Sequence, residues 1–139
     1  MSRAVIVGGS ECSPVSVWYP LMRLLEAGFE VHALGVEGLE ALSPPEPVGR
    51  YDIVVYADCR EAYGSVEGRL TLYSRGGGEP VTVDAERGVV YARDPWALYL
   101  AMRELLRLAS RRGLLADTPS SPTPGEVRSL ARRLRLDRF

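Results

Sequence analysis

The first 35 residues alternate between strand-like and helix-like patterns, and this alternation restricts the fold more than any other feature of the chain. A short apolar run at residues 4–7 ends at the glycine-containing stretch 8–10. Apolar residues then recur at helical spacing from Pro14 to Gly28, and residues 29–35 (FEVHALG) predict a second strand. A strand–helix–strand unit favours parallel pairing through a right-handed crossover, and therefore an α/β sheet.

Later segments predict four more strands and one long helix. Residues 51–57 (YDIVVYA) are apolar at consecutive positions, as in a strand that is covered on both faces. A helix capped by Asp94 and started by Pro95 is expected to stop at Gly113. We therefore expect a flavodoxin-like α/β fold, with a mostly parallel sheet, helices on both faces and an antiparallel hairpin near the carboxyl terminus. The remaining strands are predicted at residues 69–74, 79–85 and 88–94, and the last two form the hairpin.

The chain divides into residues 1–116, which form the α/β domain, and a carboxyl-terminal segment, residues 117–139. This segment begins with a linker rich in Pro and Ser and continues as a basic amphipathic helix. Its residues 125–139 hold five arginines and two acidic residues, a net charge of +3. Such a helix can contact nucleic acid or an acidic partner, or it can pack onto its own domain or a neighbouring subunit. Packing is favoured, because aromatic residues do not interleave with the arginines.

Composition narrows the class of protein. The 139 residues carry a net charge of −1 and are 46% hydrophobic, which is ordinary for a globular domain and gives no indication of nucleic acid or membrane as a partner. The amino terminus enters a strand directly without an apolar leader, so a cytoplasmic location is expected. All 17 basic residues are arginine, and Asn and Gln are absent, which is typical of a thermophile. Two cysteines provide neither a disulfide framework nor a four-ligand zinc site, and neither a metal nor a cofactor is predicted.

Three segments resemble members of the ThiJ/PfpI family, which includes intracellular proteases and a deglycase. The first carries Tyr19-Pro20 before a leucine-rich turn, followed by the pattern G-x-E-V at Gly28–Val31. The second is YDIVVYADCRE (51–61), and the third is the hairpin and helix at 81–108. The resemblance covers most of residues 3–112. It implies a cysteine nucleophile on a strained turn, a Glu that contacts it, and an oxyanion hole made by backbone N–H groups.

The chain departs from the family pattern where that chemistry would lie. Between Tyr56 and Leu70 there is no room for a further strand, a nucleophile-bearing turn and a long helix. The family's Cys-His pair is absent, and alignment on Tyr19-Pro20 puts Ser13 where the Glu is expected. We therefore expect a non-catalytic protein that acts through self-association, as a homodimer, or through binding of a partner. Loss of a strand–helix unit is expected to expose apolar surface for that contact.

Two turns hold the candidate site residues. Both follow parallel strands and should meet at the carboxyl edge of the sheet, where ligands bind in α/β proteins. If the site is catalytic, Cys59 is a relocated nucleophile activated by a helix dipole and Arg60, with Glu11 moving protons and Cys12 as the other candidate thiol. The protein would then be a thiol-dependent hydrolase or a glyoxalase or deglycase. The candidate ligand-binding residues are Gly8, Gly9, Ser10, Ser13, Asp58 and Arg60.

Each candidate also has a structural explanation. The two thiols can be small, half-buried residues without chemistry, and this is favoured because no base is evident beside either. A Cys12–Cys59 disulfide is a third possibility in a hyperthermophile. Gly8-Gly9 could cradle a small anion or a nucleotide phosphate, but the spacing matches no phosphate-binding motif, so a tight turn is favoured. Ser13 is favoured as a helix cap, and His32 as a packed residue of its strand.

Overall fold

The computed structural model describes residues 2–8, 14–36, 38–56, 69–74, 78–93 and 97–115. Within them the chain forms six strands and two α-helices. In order these are β1 (Arg3–Val7), α1 (Pro14–Glu26), β2 (Glu30–Leu34), β3 (Ile53–Tyr56), β4 (Leu70–Ser74), β5 (Val81–Asp84), β6 (Val89–Ala92) and α2 (Leu98–Arg111). Two short 3₁₀ turns, Glu40–Leu42 and Val48–Arg50, lie in the connection from β2 to β3.

The strands form one sheet in the order β2-β1-β3-β4-β6-β5. Every neighbouring pair is parallel except β5 and β6, which form an antiparallel hairpin. The predicted α/β class, the mostly parallel sheet and the carboxyl-terminal hairpin are therefore confirmed. All four residues of β3 are buried, as the continuous apolar run at 51–57 predicts for a strand covered on both faces.

Both described helices pack on the same face of the sheet. Alternate strand residues such as Ile6, Val55 and Leu72 form one core with Leu21 of α1 and Leu105 of α2, and the two helices contact each other. On the other face, a smaller cluster of Val5, Tyr51, Val54 and Tyr56 packs with Val7 and Val48. Within the described residues, the connection from β2 to β3 therefore packs over β1 and β3 on that face, and the expectation of helices on both faces is not confirmed.

Glycines predicted as stop signals follow the carboxyl ends of both helices, and α1 begins at Pro14 as its sequence predicts. Gly28, at φ 88°, ends α1, and the next amide, that of Phe29, donates to the Leu24 carbonyl at 3.1 Å. This backbone conformation is unfavourable for any residue with a Cβ, so the glycine correctly predicted the end of the helix. Helix α2 ends before Gly113 as predicted and is described from Leu98 onward. Its predicted cap and first residue, Asp94 and Pro95, lie outside the described residues.

Candidate functional site

The strand order reverses direction between β1 and β3. From β1 the chain moves outward to β2, whereas from β3 it moves the other way to β4. In open α/β sheets the connections on either side of such a reversal diverge, and the crevice left at the carboxyl ends of the two strands is where ligands bind. The sequence places its two candidate turns directly after these two strands.

The register of β1 and β3 brings the starts of the two turns together. Val7 pairs with Tyr56, the last residue of β3. Neighbouring strands lie about 4.8 Å apart, so the chain leaves both strands at the same height and side by side. Of the candidate residues, Gly8 is described. The others, Gly9, Ser10, Glu11, Cys12, Ser13, Asp58, Cys59 and Arg60, lie outside the described residues, and the proximity of the two thiols stays a prediction.

Gly8 has a packing role that explains its identity. Its amide donates to the carbonyl of Leu34 at 2.8 Å, which ties the turn to the end of β2. A Cβ at position 8 would lie 2.5 Å from Cγ2 of Val36 and 3.0 Å from the carbonyl oxygen of Gly35. Both distances are too short, so any side chain would force the two segments apart. This contact accounts for the glycine without a bound phosphate and favours the tight-turn interpretation.

His32 lies in the middle of β2, on the face opposite the helices, where it pairs with Val5 of β1. Its ring packs edge-on against Tyr51 with 5.5 Å between ring centroids, and its Nε2 is 3.6 Å from the Glu30 carboxylate. Its Nδ1 is buried and has no hydrogen-bond partner. These contacts are those of a packed strand residue, as the sequence suggested.

A cluster that the sequence did not predict surrounds Tyr51 at the opposite end of the sheet. The Arg3 guanidinium lies 4.9 Å from the centre of the Tyr51 ring and donates a 2.6 Å hydrogen bond to the Glu46 carboxylate. This hydrogen bond lowers the pKa of Glu46 and raises the pKa of Arg3. The pair ties the connection from β2 to β3 onto β1. Because both side chains are partly exposed, the ion pair contributes little to stability by itself.

The Tyr51 hydroxyl is the most unusual polar group of this cluster. Tyr51 is 1% exposed, and its oxygen has no hydrogen-bond partner. Burial raises the pKa of Tyr51. The backbone N–H of Glu46 is oriented to favour the ionised phenol, but it does not reach hydrogen-bond geometry, so burial dominates. The phenol is therefore held in its neutral form, packed against His32 and beneath the Arg3 guanidinium.

The described residues offer little else that could hold a ligand. They contain no group of three or more His, Cys, Asp or Glu side chains placed to bind a metal ion. No helix within the described ranges has the length and apolar character needed to cross a membrane.

No family model matches the chain, and comparison with curated proteins and with solved structures found no similar protein.

Proposed function

We propose that this protein acts without catalysis, by associating with a second copy of itself or with a partner protein. The ThiJ/PfpI resemblance would place a nucleophile on a strand and turn in the middle of the chain. Here β3 and β4 are adjacent and parallel, and residues 57–69, thirteen in all, join them. A parallel crossover needs a dozen or more residues. A connection of this length supports the proposal, because a further nucleophile-bearing strand with its own crossover would need a longer one.

The positions of the exposed apolar side chains favour association. Among the described residues, four large hydrophobic side chains are exposed: Tyr19, Leu34, Val83 and Tyr99. The two aliphatic ones stand on the two edge strands, Leu34 on β2 at 42% and Val83 on β5 at 40%. An edge strand presents a row of unpaired N–H and C=O groups that can pair with another chain. Exposed aliphatic residues at sheet edges support contact with another chain.

Size-exclusion chromatography with light scattering tests this function. At micromolar concentration we expect a mass twice that of one chain. A monomer that stays monomeric as the concentration is raised would contradict self-association. Retention of the monomeric mass in the presence of a cell extract, with nothing bound after purification, would also contradict partner binding.

A second candidate function is thiol chemistry at the carboxyl edge, and the pairing of Val7 with Tyr56 favours it. A hydrolase, or a glyoxalase or deglycase acting on reactive carbonyls, would use Cys59 or Cys12 as nucleophile with Glu11 handling protons. This function needs a thiolate near neutral pH. The rate of alkylation should be measured against pH for the wild type and for the Cys12→Ser and Cys59→Ser variants. Reaction that rises only near the ordinary thiol pKa of about 8.5 in every variant would contradict it.

A further inference from the structure

Strand β5 has one side of its backbone unpaired within the described sheet. It is the last strand of the sheet, and β6 is its one neighbour. The Arg93 amide donates to the Pro80 carbonyl at 2.9 Å, just before the hairpin register that pairs Val81 with Ala92. Hydrogen-bonded pairs alternate along an antiparallel ladder, so Thr82 bonds to β6, whereas the N–H and C=O groups of Val81 and Val83 point away from it.

The side chains of β5 divide between the two faces. Val81 packs against the main core, and Val83, on the same face, is 40% exposed. Thr82 is exposed on the other face. The outer edge of β5 therefore presents two unpaired peptide groups, one uncovered aliphatic side chain and one β-branched hydroxyl side chain. These residue types favour strand pairing.

We propose that β5 pairs in antiparallel orientation with β5 of a second copy, about a two-fold axis at Thr82. This inference rests on the self-association proposed above and names its surface. In this register Val81 lies opposite Val83 of the second copy, so the two outward-pointing residues of each strand form hydrogen-bonded pairs. The pairing makes four backbone hydrogen bonds and joins the two sheets into one.

The other registers use the edge less completely. If one strand shifts by one residue, the outward N–H and C=O groups of Val81 and Val83 face residues whose backbone groups already bond to β6. No hydrogen bonds can then form between the two strands. If both strands shift by one residue, Val83 lies opposite Val83 of the second copy, or Val81 lies opposite Val81 of the second copy. Each of these registers places just one hydrogen-bonded residue pair within the four-residue strand. The register about Thr82 is thus the one that satisfies all the outward groups.

The side chains also suit this register. Val83 packs against Val81 of the second copy on the helix-bearing face, which covers the exposed aliphatic surface. On the other face Thr82 lies opposite Thr82, a favourable cross-strand pair. Asp84 lies opposite Pro80 of the second copy, so two like charges do not meet.

A proline substitution separates this surface from others. Val83→Pro removes an N–H group that points away from β6, and proline is tolerated at such positions of edge strands. We expect Val83→Pro to be a folded monomer, with an unchanged circular dichroism spectrum, and Val83→Thr to remain a dimer. A Val83→Pro dimer of wild-type affinity would overturn the β5 pairing but not the self-association. A monomeric wild type would overturn both.

A crosslink tests the register and does not depend on the proline variant folding. In a Cys12→Ser/Cys59→Ser background, Thr82→Cys brings two cysteines opposite each other with Cα atoms about 4.5 Å apart, within disulfide range. We expect oxidation to give a covalent dimer. The matched control is Val83→Cys, whose two Cα atoms would be about 8 Å apart on the diagonal and should not crosslink. A Val83→Cys crosslink, or a dimer in which Thr82→Cys fails to crosslink, would overturn the register.

Discussion

Removal of the Tyr51 hydroxyl should stabilise the protein. The oxygen is buried without a hydrogen-bond partner, so folding takes it out of water and returns no bond. A buried polar group left in this state costs about 1–3 kcal/mol. Tyr51→Phe removes that cost and keeps the ring that packs against His32 and lies under the Arg3 guanidinium. We expect the free energy of unfolding at pH 7, measured by denaturant titration, to rise by about 1 kcal/mol.

The same substitution should also change how the free energy of unfolding depends on pH under alkaline conditions. Burial raises the pKa of Tyr51 in the folded state, so above the unfolded value of about 10 the unfolded chain loses a proton that the folded chain retains. The folded protein therefore loses stability as the pH rises above that value, whereas below it the ionisation of Tyr51 does not affect stability. The loss is at most about 1.4 kcal/mol per pH unit. Tyr51→Phe should lack this component of the pH dependence.

The matched control for the measurement at pH 7 is Tyr99→Phe. Tyr99 is 55% exposed, so removal of its hydroxyl should leave the free energy of unfolding at pH 7 unchanged. The reasoning would be refuted if Tyr51→Phe lowered the free energy of unfolding by 1 kcal/mol or more. That result would mean that the hydroxyl has a bonding partner in solution, such as an ordered water molecule.

Further substitutions test the core, the turn after β1 and the ion pair. Met102 is fully buried in α2, so Met102→Ala should lower the free energy of unfolding by about 2–5 kcal/mol, and a loss below 1 kcal/mol in denaturant titration would contradict the packing of α2. Gly8→Ala should lower the free energy of unfolding by about 1–3 kcal/mol, because the added methyl group overlaps with Val36. In the double variant, Val36→Ala should recover part of that loss. An unchanged free energy of unfolding in Gly8→Ala would show that the contact is absent. The hydrogen bond from Arg3 lowers the pKa of Glu46, so the stability that the pair contributes is present at neutral pH and lost as the pH falls through the folded value; thermal melts of Glu46→Gln should lack this acid-dependent component and should be insensitive to salt there.

Sequence periodicity predicted the elements of this fold well because their signals are local. The hairpin at β5 and β6 needs a short turn between two β-rich runs, and α1 needs its apolar spacing and a glycine stop. Each of these signals lies within about twenty residues of the element it defines. The sheet class followed, since strands that alternate with helices pair in parallel.

Long-range contacts and face assignments were not predictable in the same way. The cluster at the amino edge joins Arg3 to Glu46, which are 43 residues apart, and neither residue carries a local signal of the other. Helices on both faces were expected by analogy with longer doubly wound sheets. In the described residues, two 3₁₀ turns stand where such a fold would place a helix between β2 and β3. For the candidate site, periodicity predicted the two strands that precede it, which the structure pairs at Val7 and Tyr56. The meeting of the two turns themselves stays a prediction, because their residues lie outside the described ranges.

The bare backbone contact between Gly8 and Gly35 has a mechanical consequence. A Cβ built on Gly35 would lie 2.9 Å from the Gly8 carbonyl oxygen, so no side chain fits between the two segments. A displacement of the Gly8 backbone toward β2 would therefore meet the backbone of Gly35 directly, with no side chain between the central strand β1 and the edge strand β2 at this point.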